Sequence, residues 1–111
     1  MKSILNALFS SKNSPTHSSQ NKSRFSEVPS GEFRFIALDV ETANSNNFSI
    51  CQVGLACVRH DSSMEIYSQH IFTDESFSDF NVGIHGIDED TIQNAPSFTD
   101  VLERLRPLLE V

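Results

Sequence analysis

The segment from Phe33 to Val40 restricts the fold more than any other. Its odd positions carry Phe33, Phe35 and Ala37, and continue to Asp39 and Glu41; its even positions carry Arg34, Ile36, Leu38 and Val40. Residues two apart on a strand share a face, so both faces of this strand are apolar. That is the pattern of a strand covered on both sides in the middle of a sheet. The run then stops at two carboxylates separated by one valine, where turn residues would be the ordinary ending.

The segments after it predict its neighbours. Beyond a polar loop, Ala43 to Ser49, the run ICQVGLACVR puts Cys51, Val53, Leu55 and Cys57 on one face of a second strand. A short turn at Asp61-Ser62-Ser63 leads into MEIYSQHIF, a third strand of mixed polarity, and two tight connections predict an antiparallel meander. An irregular stretch is expected from Thr73 to Asn81. A short helix should then start at Asp88, with Glu89 and Asp90 in its first turn, and end before Pro96. Ser97 opens a further helix through Ser97-Phe98-Thr99-Asp100, a capping-box variant. Phe98, Val101, Leu102, Leu105, Leu108 and Leu109 fall at helical spacing along it, and Pro107 should kink it or end it early. The central strand needs a second neighbour, expected after this helix as a crossover. The sequence reaches Val111 directly after the helix, so half of the expected fold is not among these residues.

Charge divides the chain. Met1 to Ser30 carries Lys2, Lys12, Lys22 and Arg24 against Glu27, a balance of +3, whereas Gly31 onward carries −10, for a net charge of −7 over 111 residues. Ser10 to Ser30 contains eight serines and too little apolar surface to offset ordering entropy. Residues 1–31 are therefore expected to be a disordered, Ser-rich basic leader and 32–111 the N-terminal portion of one domain. An acidic domain is a poor general binder of polyanions, whose phosphates are contacted by Lys and Arg. Work on a nucleic acid would have to pass through bound cations or through parts outside this chain. The apolar patch at Ile4, Leu5, Ala7, Leu8 and Phe9 is too short to span a bilayer and lacks a signal-peptide core. Cys51 and Cys57, six apart in one strand, lie beyond disulfide reach of each other. Buried free thiols suit a reducing cytoplasm.

Asp39 and Glu41 converge on one face of the first strand, so their oxygens can approach one cation. Two negative charges held that close repel, so either one of them is neutralised by a proton or a divalent ion resolves the conflict; hard oxygen donors suit Mg²⁺ or Mn²⁺. Such sites carry out metal-assisted phosphoryl chemistry. An isolated Asp-x-Glu is most often a solvated strand end, but here the pair closes a strand that is apolar on both faces, where unpaired charge is costly.

ALDVETANS, the ICQVGLA strand, and IHGI with its acidic successor resemble, in order and spacing, the DnaQ-like 3′–5′ exonucleases. That family includes the proofreading epsilon subunit of DNA polymerase III and ribonuclease T, and the resemblance covers Phe33 to about Leu109. It implies an α/β, ribonuclease-H-like fold with strand order 3-2-1-4-5, of which this chain holds the meander and the first helices. It also implies that Asp39 and Glu41 bind Mg²⁺ or Mn²⁺, and that Thr42, Ala43 and His85 line the terminal nucleotide's site. For His85 the residues alone leave a second role open, in the turn that Gly86 permits. The substrate implied is a nucleic-acid 3′ end, DNA rather than RNA, with a polymerase as a further partner. The family's second and third motifs, with the His that acts as general base and the Asps that complete the metal site, do not lie within these residues. His60, His70 and His85 stand in the wrong contexts to replace that base. The expectation is thus an exonuclease domain that is inactive as this 111-residue chain. The rivals are an interaction module that pairs or self-associates through the open strand edge, and a fragment that does not fold alone.

Overall fold

The computed structural model describes residues 24–110. Three strands, β1 (Phe35–Thr42), β2 (Ile50–Val58) and β3 (Met64–His70), form an antiparallel sheet in the order β1-β2-β3. Two helices follow, α1 (Asp79–His85) and α2 (Phe98–Leu109). The meander is therefore as the alternation predicts, including the turn at Asp61, whose Oδ1 accepts from the Ser63 amide at 2.9 Å.

Residues opposed across a ladder share a face, so the register sorts the sheet. Ile36, Leu38 and Val40 stand opposite Cys57, Leu55 and Val53; Ala37, Asp39 and Glu41 stand opposite Ala56, Gly54 and Gln52. The first face is the one that α2 covers. Val53, Leu55, Cys57, Tyr67, Ile71, Val101 and Leu105 form its buried cluster, with Ile36, Val40 and Leu109 packed against it. The expected stripe on α2 thus works through Val101 and Leu105, which are buried, while Phe98 and Leu102 stay partly exposed. Ser97 caps this helix by accepting from the Asp100 amide at 3.1 Å. The helix continues two residues past Pro107, whose missing N–H falls in the last turn.

The open edge expected of β1 is present: among the described residues it has β2 on one side only, and Phe35 and Leu38 are 50% and 57% exposed. Two expectations change. The last residues of the stretch expected to be irregular, from Asp79, instead begin a helix. Ser78 accepts from the Asn81 amide at its start, and Gly86, at φ 75°, ends it in the left-handed conformation that glycine adopts without strain. Conversely, Asp88 caps no α-helix. Its carboxylate accepts from the Thr91 amide and hydroxyl, but the backbone bonds beyond it span three residues: Thr91 to Asp88, Gln93 to Asp90, Ala95 to Ile92. Pro96, with no N–H to return to Ile92, stops these turns from becoming helix.

The composition-based leader also begins to order before residue 31. The Ser26 amide donates to Gln69 Oε1 at 2.7 Å, Arg104 lies over the Phe25 ring, and Phe25 and Val28 pack against the main cluster. The rest of the expected leader, residues 1–23, lies outside the described residues, as does its apolar patch. No helix among the described residues is long and apolar enough to cross a membrane.

Candidate metal centre at the end of the first strand

β1 carries Asp39 and Glu41 to its far end on the face away from α2, and a register shift comes immediately after them. Glu41 pairs with Gln52 and Thr42 with Ile50, so Cys51 is left unopposed as a bulge. Cys51 instead packs with Ile87 and Ile92 in a second small core. Burial pushes its thiol up to about 12, with the negative charge of Glu41 adding to the effect. Both cysteines are free and buried, as the spacing predicts.

The two carboxylates have different surroundings. Asp39 is half-buried, and its Oδ1 accepts from the next amide, Val40 N–H, at 2.9 Å. Glu41 is 7% exposed, and its Oε2 is buried with no hydrogen-bond partner among the described residues. A buried, unpaired carboxylate oxygen beside a second carboxylate on the same face fits a hard divalent cation. Two ligands are what the pair offers: no group of three or more His, Cys, Asp or Glu among the described residues could hold a metal.

A web of polar contacts fixes the chain just beyond the pair. The Thr42 carbonyl accepts from Asn81 Nδ2 at 3.1 Å and from His85 Nε2 at 2.8 Å. His85 Nδ1 accepts from the Ile87 amide at 3.0 Å, which puts the ring proton on Nε2. Both ring nitrogens of His85 are therefore engaged by backbone, and the ring ties the Gly86 turn to the tip of β1. Ala43 is fully buried, its N–H donated to Ser49 and its C=O accepting from Ser78. Thr42 is half-buried and closest to the surface of the three. Asn44 extends the web, donating to the Ser76 carbonyl at 2.7 Å.

Sequence reasoning missed Asn81, which lay in a stretch read as irregular, and Gln52 and His70, which continue the row from Glu41 across β2 and β3. The signal for Gln52 was its place as the one polar residue among the even positions of β2, Ile50, Gln52, Gly54, Ala56 and Val58. His70 is held below its ordinary 6.5 by burial. The folded chain thus resists a proton that the unfolded chain accepts. The stability this gives is present above about pH 6.5 and is lost as pH falls toward the lowered folded value. Thermal melts between about pH 7.5 and pH 5 should show the wild type losing more Tm than His70→Gln; equal losses would contradict the burial.

The geometry can be set beside known proteins. Residues 36–111 match the Exonuclease (RNase_T) family. Among solved structures, Exonuclease X in complex with 5′ overhanging duplex DNA superposes with a TM-score of 0.55 and 21% identity, over 62% of this chain and 41% of that one. A full-length 3′-exonuclease superposes at 0.50 and 21%, over 66% of this chain and 27% of that one. The chain therefore spans less than half the length of either. At these identities the likeness speaks to the fold, which is the ribonuclease-H-like α/β fold expected from the motifs. No curated relative matches the chain. Proteins of the matched family generally use divalent metal ions. The match takes in the greater part of the sequence, including the Asp39–Glu41 pair and IHGI: the chain belongs to the exonuclease family.

Proposed function

We propose that these residues supply the first metal-binding pair of a 3′–5′ exonuclease acting on a nucleic-acid 3′ end, DNA rather than RNA, in the cytoplasm. The observation that carries this is the buried, unpartnered Oε2 of Glu41 beside Asp39 at the end of β1. A Mg²⁺ or Mn²⁺ ion bound there would neutralise the phosphodiester and lower the barrier to attack by water. Asp39 and Glu41 would hold the ion. Thr42 offers the terminal nucleotide its half-buried side chain, while Ala43 and His85 keep the Thr42 backbone in place. The two similar solved structures, an exonuclease in complex with duplex DNA and a 3′-exonuclease, support the substrate class and the direction.

No histidine among the described residues is disposed to act as the base. Both nitrogens of His85 are occupied, His60 lies past Val58 at the opposite end of the sheet, and His70 stands two strands away on β3. The 111-residue polypeptide is accordingly expected to bind Mn²⁺ weakly and to release no mononucleotides from labelled single- or double-stranded DNA. Mn²⁺-dependent release that disappears in Asp39→Ala would overturn the inactivity. Absence of Mn²⁺ binding in calorimetry would overturn the assignment of the pair.

A second reading is favoured by the edge of β1 that is open among the described residues. Leu38 and Val40 line an apolar groove of about 260 Å³ with Phe98, Val101, Leu102 and Leu105, beside unpaired strand backbone. Concentration-dependent dimerisation in sedimentation, without Mn²⁺ binding, would select an interaction module over the exonuclease reading.

A further inference from the structure

The oxygen left unpaired on Glu41 is one of two. Gln52 stands directly opposite Glu41 in the β1–β2 ladder, so their side chains leave one face of the sheet with Cβ atoms roughly 5 Å apart. Gln52 is 6% exposed, and its Nε2 donates to Ser68 Oγ on β3 at 2.9 Å. That bond commits the amide nitrogen toward β3. Oε1 remains buried with no hydrogen-bond partner, as does Glu41 Oε2. These are the two such side-chain atoms among the described residues, and they belong to cross-strand partners.

Both buried acceptors belong to cross-strand partners on one face, and neither receives a proton from the described residues. His70, next in the row on β3, donates to neither. A positive centre satisfies both at once. Oxygen donors of this kind, one charged and one neutral, are what Mg²⁺ and Mn²⁺ take. The neutral amide adds a donor without adding charge to a face that already holds two carboxylates. It sits on β2, paired on both sides and therefore rigid.

We propose that Gln52 is a third oxygen of the cation site, its Oε1 facing the ion held by Asp39 and Glu41, directly or through one of the ion's waters. This rests on the reading of Asp39 and Glu41 as the metal pair. Ser68 is then a positioning residue, which fixes the amide so that its oxygen points to the ion.

The test is Mn²⁺ titration of the full chain, followed by the paramagnetic resonance of unbound Mn²⁺, with circular dichroism to confirm folding. Gln52→Leu is expected to weaken binding about tenfold. Gln52→Glu, nearly the same shape, is expected to tighten it. Glu41→Gln should remove it. Binding by Gln52→Leu as tight as wild type, or tighter, would overturn the proposal, because the amide nitrogen would then be what faces Glu41. So would a Gln52→Glu variant that binds no better than wild type, and that variant carries the test alone if the leucine variant fails to fold. In either case loss of binding in Glu41→Gln leaves the metal pair standing. A wild-type chain that binds no Mn²⁺ removes both readings together.

Discussion

Leu55→Ala is expected to lower the unfolding free energy by about 3 kcal/mol. Leu55 is 1% exposed on the middle strand and belongs to the cluster that joins all three strands to α2. Its removal strips contacts from Leu38 across the ladder, from Tyr67 on the other side, and from the helix above. Neighbours on a paired strand cannot collapse far into the void, so a cavity remains and adds to the lost transfer energy. A domain of this size has a total stability on the order of 5–10 kcal/mol, so the loss is a large share of it. The melting temperature should fall by roughly 10–20 °C. Phe48→Ala is the internal control: Phe48 is 88% exposed, and its removal should change stability by less than about 0.5 kcal/mol. Similar shifts for the two variants would place the core elsewhere.

Glu41→Gln is expected to move stability and metal binding in opposite directions. With a chelator present, the wild-type carboxylate is buried beside Asp39 with one oxygen unpaired. The amide removes that charge and brings an N–H₂ group within reach of the Gln52 oxygen opposite. The expected gain is about 1–2 kcal/mol, the usual size of the penalty for an unsatisfied buried group. Mn²⁺ should raise the melting temperature of the wild type and leave that of the variant unchanged. Urea unfolding in chelator and thermal melts with Mn²⁺ read the two halves separately. A variant destabilised in chelator would mean that Glu41 is paired in the apo protein and is no orphan. Asp39→Asn should show the same pattern with a smaller gain, because Asp39 is half-buried and already bonded by the Val40 amide.

The parts of the fold that were legible in the sequence are those set by local period. Alternation and short turns give the meander, and the 3.6-residue spacing of Val101 and Leu105 gives the packing face of α2. The shared face of Asp39 and Glu41 was legible for the same reason, since two positions apart on a strand means one face. α1 was not, because DFNVGIH has no apolar stripe: Phe80 is 76% exposed and His85 is the one buried residue. Its helix is held by a serine cap, a left-handed glycine, and two side chains reaching the Thr42 carbonyl some forty positions away in the chain. Such contacts leave no periodic trace. The acidic helix start at Asp88 misled for a related reason: capping chemistry was present, but Pro96 denied the helix room. Gln52 gains meaning only from the register that sets it against Glu41, and a count of serines across residues 10–30 concealed the docking of Phe25 and Val28.

Among the described residues the outer edge of β1 is open, and this bears on how the 111-residue chain behaves in concentrated solution. An unpaired strand with exposed Phe35 and Leu38 is a template on which other chains can add. The surplus of negative charge from Gly31 onward opposes this, because it makes copies repel as they approach. That repulsion acts over a Debye length of about 8 Å at physiological ionic strength and about 3 Å at 1 M. Added salt therefore shortens the barrier while leaving the apolar attraction intact, so colloidal stability should decline as ionic strength rises. The same acids that make the domain a poor match for a polyanion oppose addition of further copies at its strand edge.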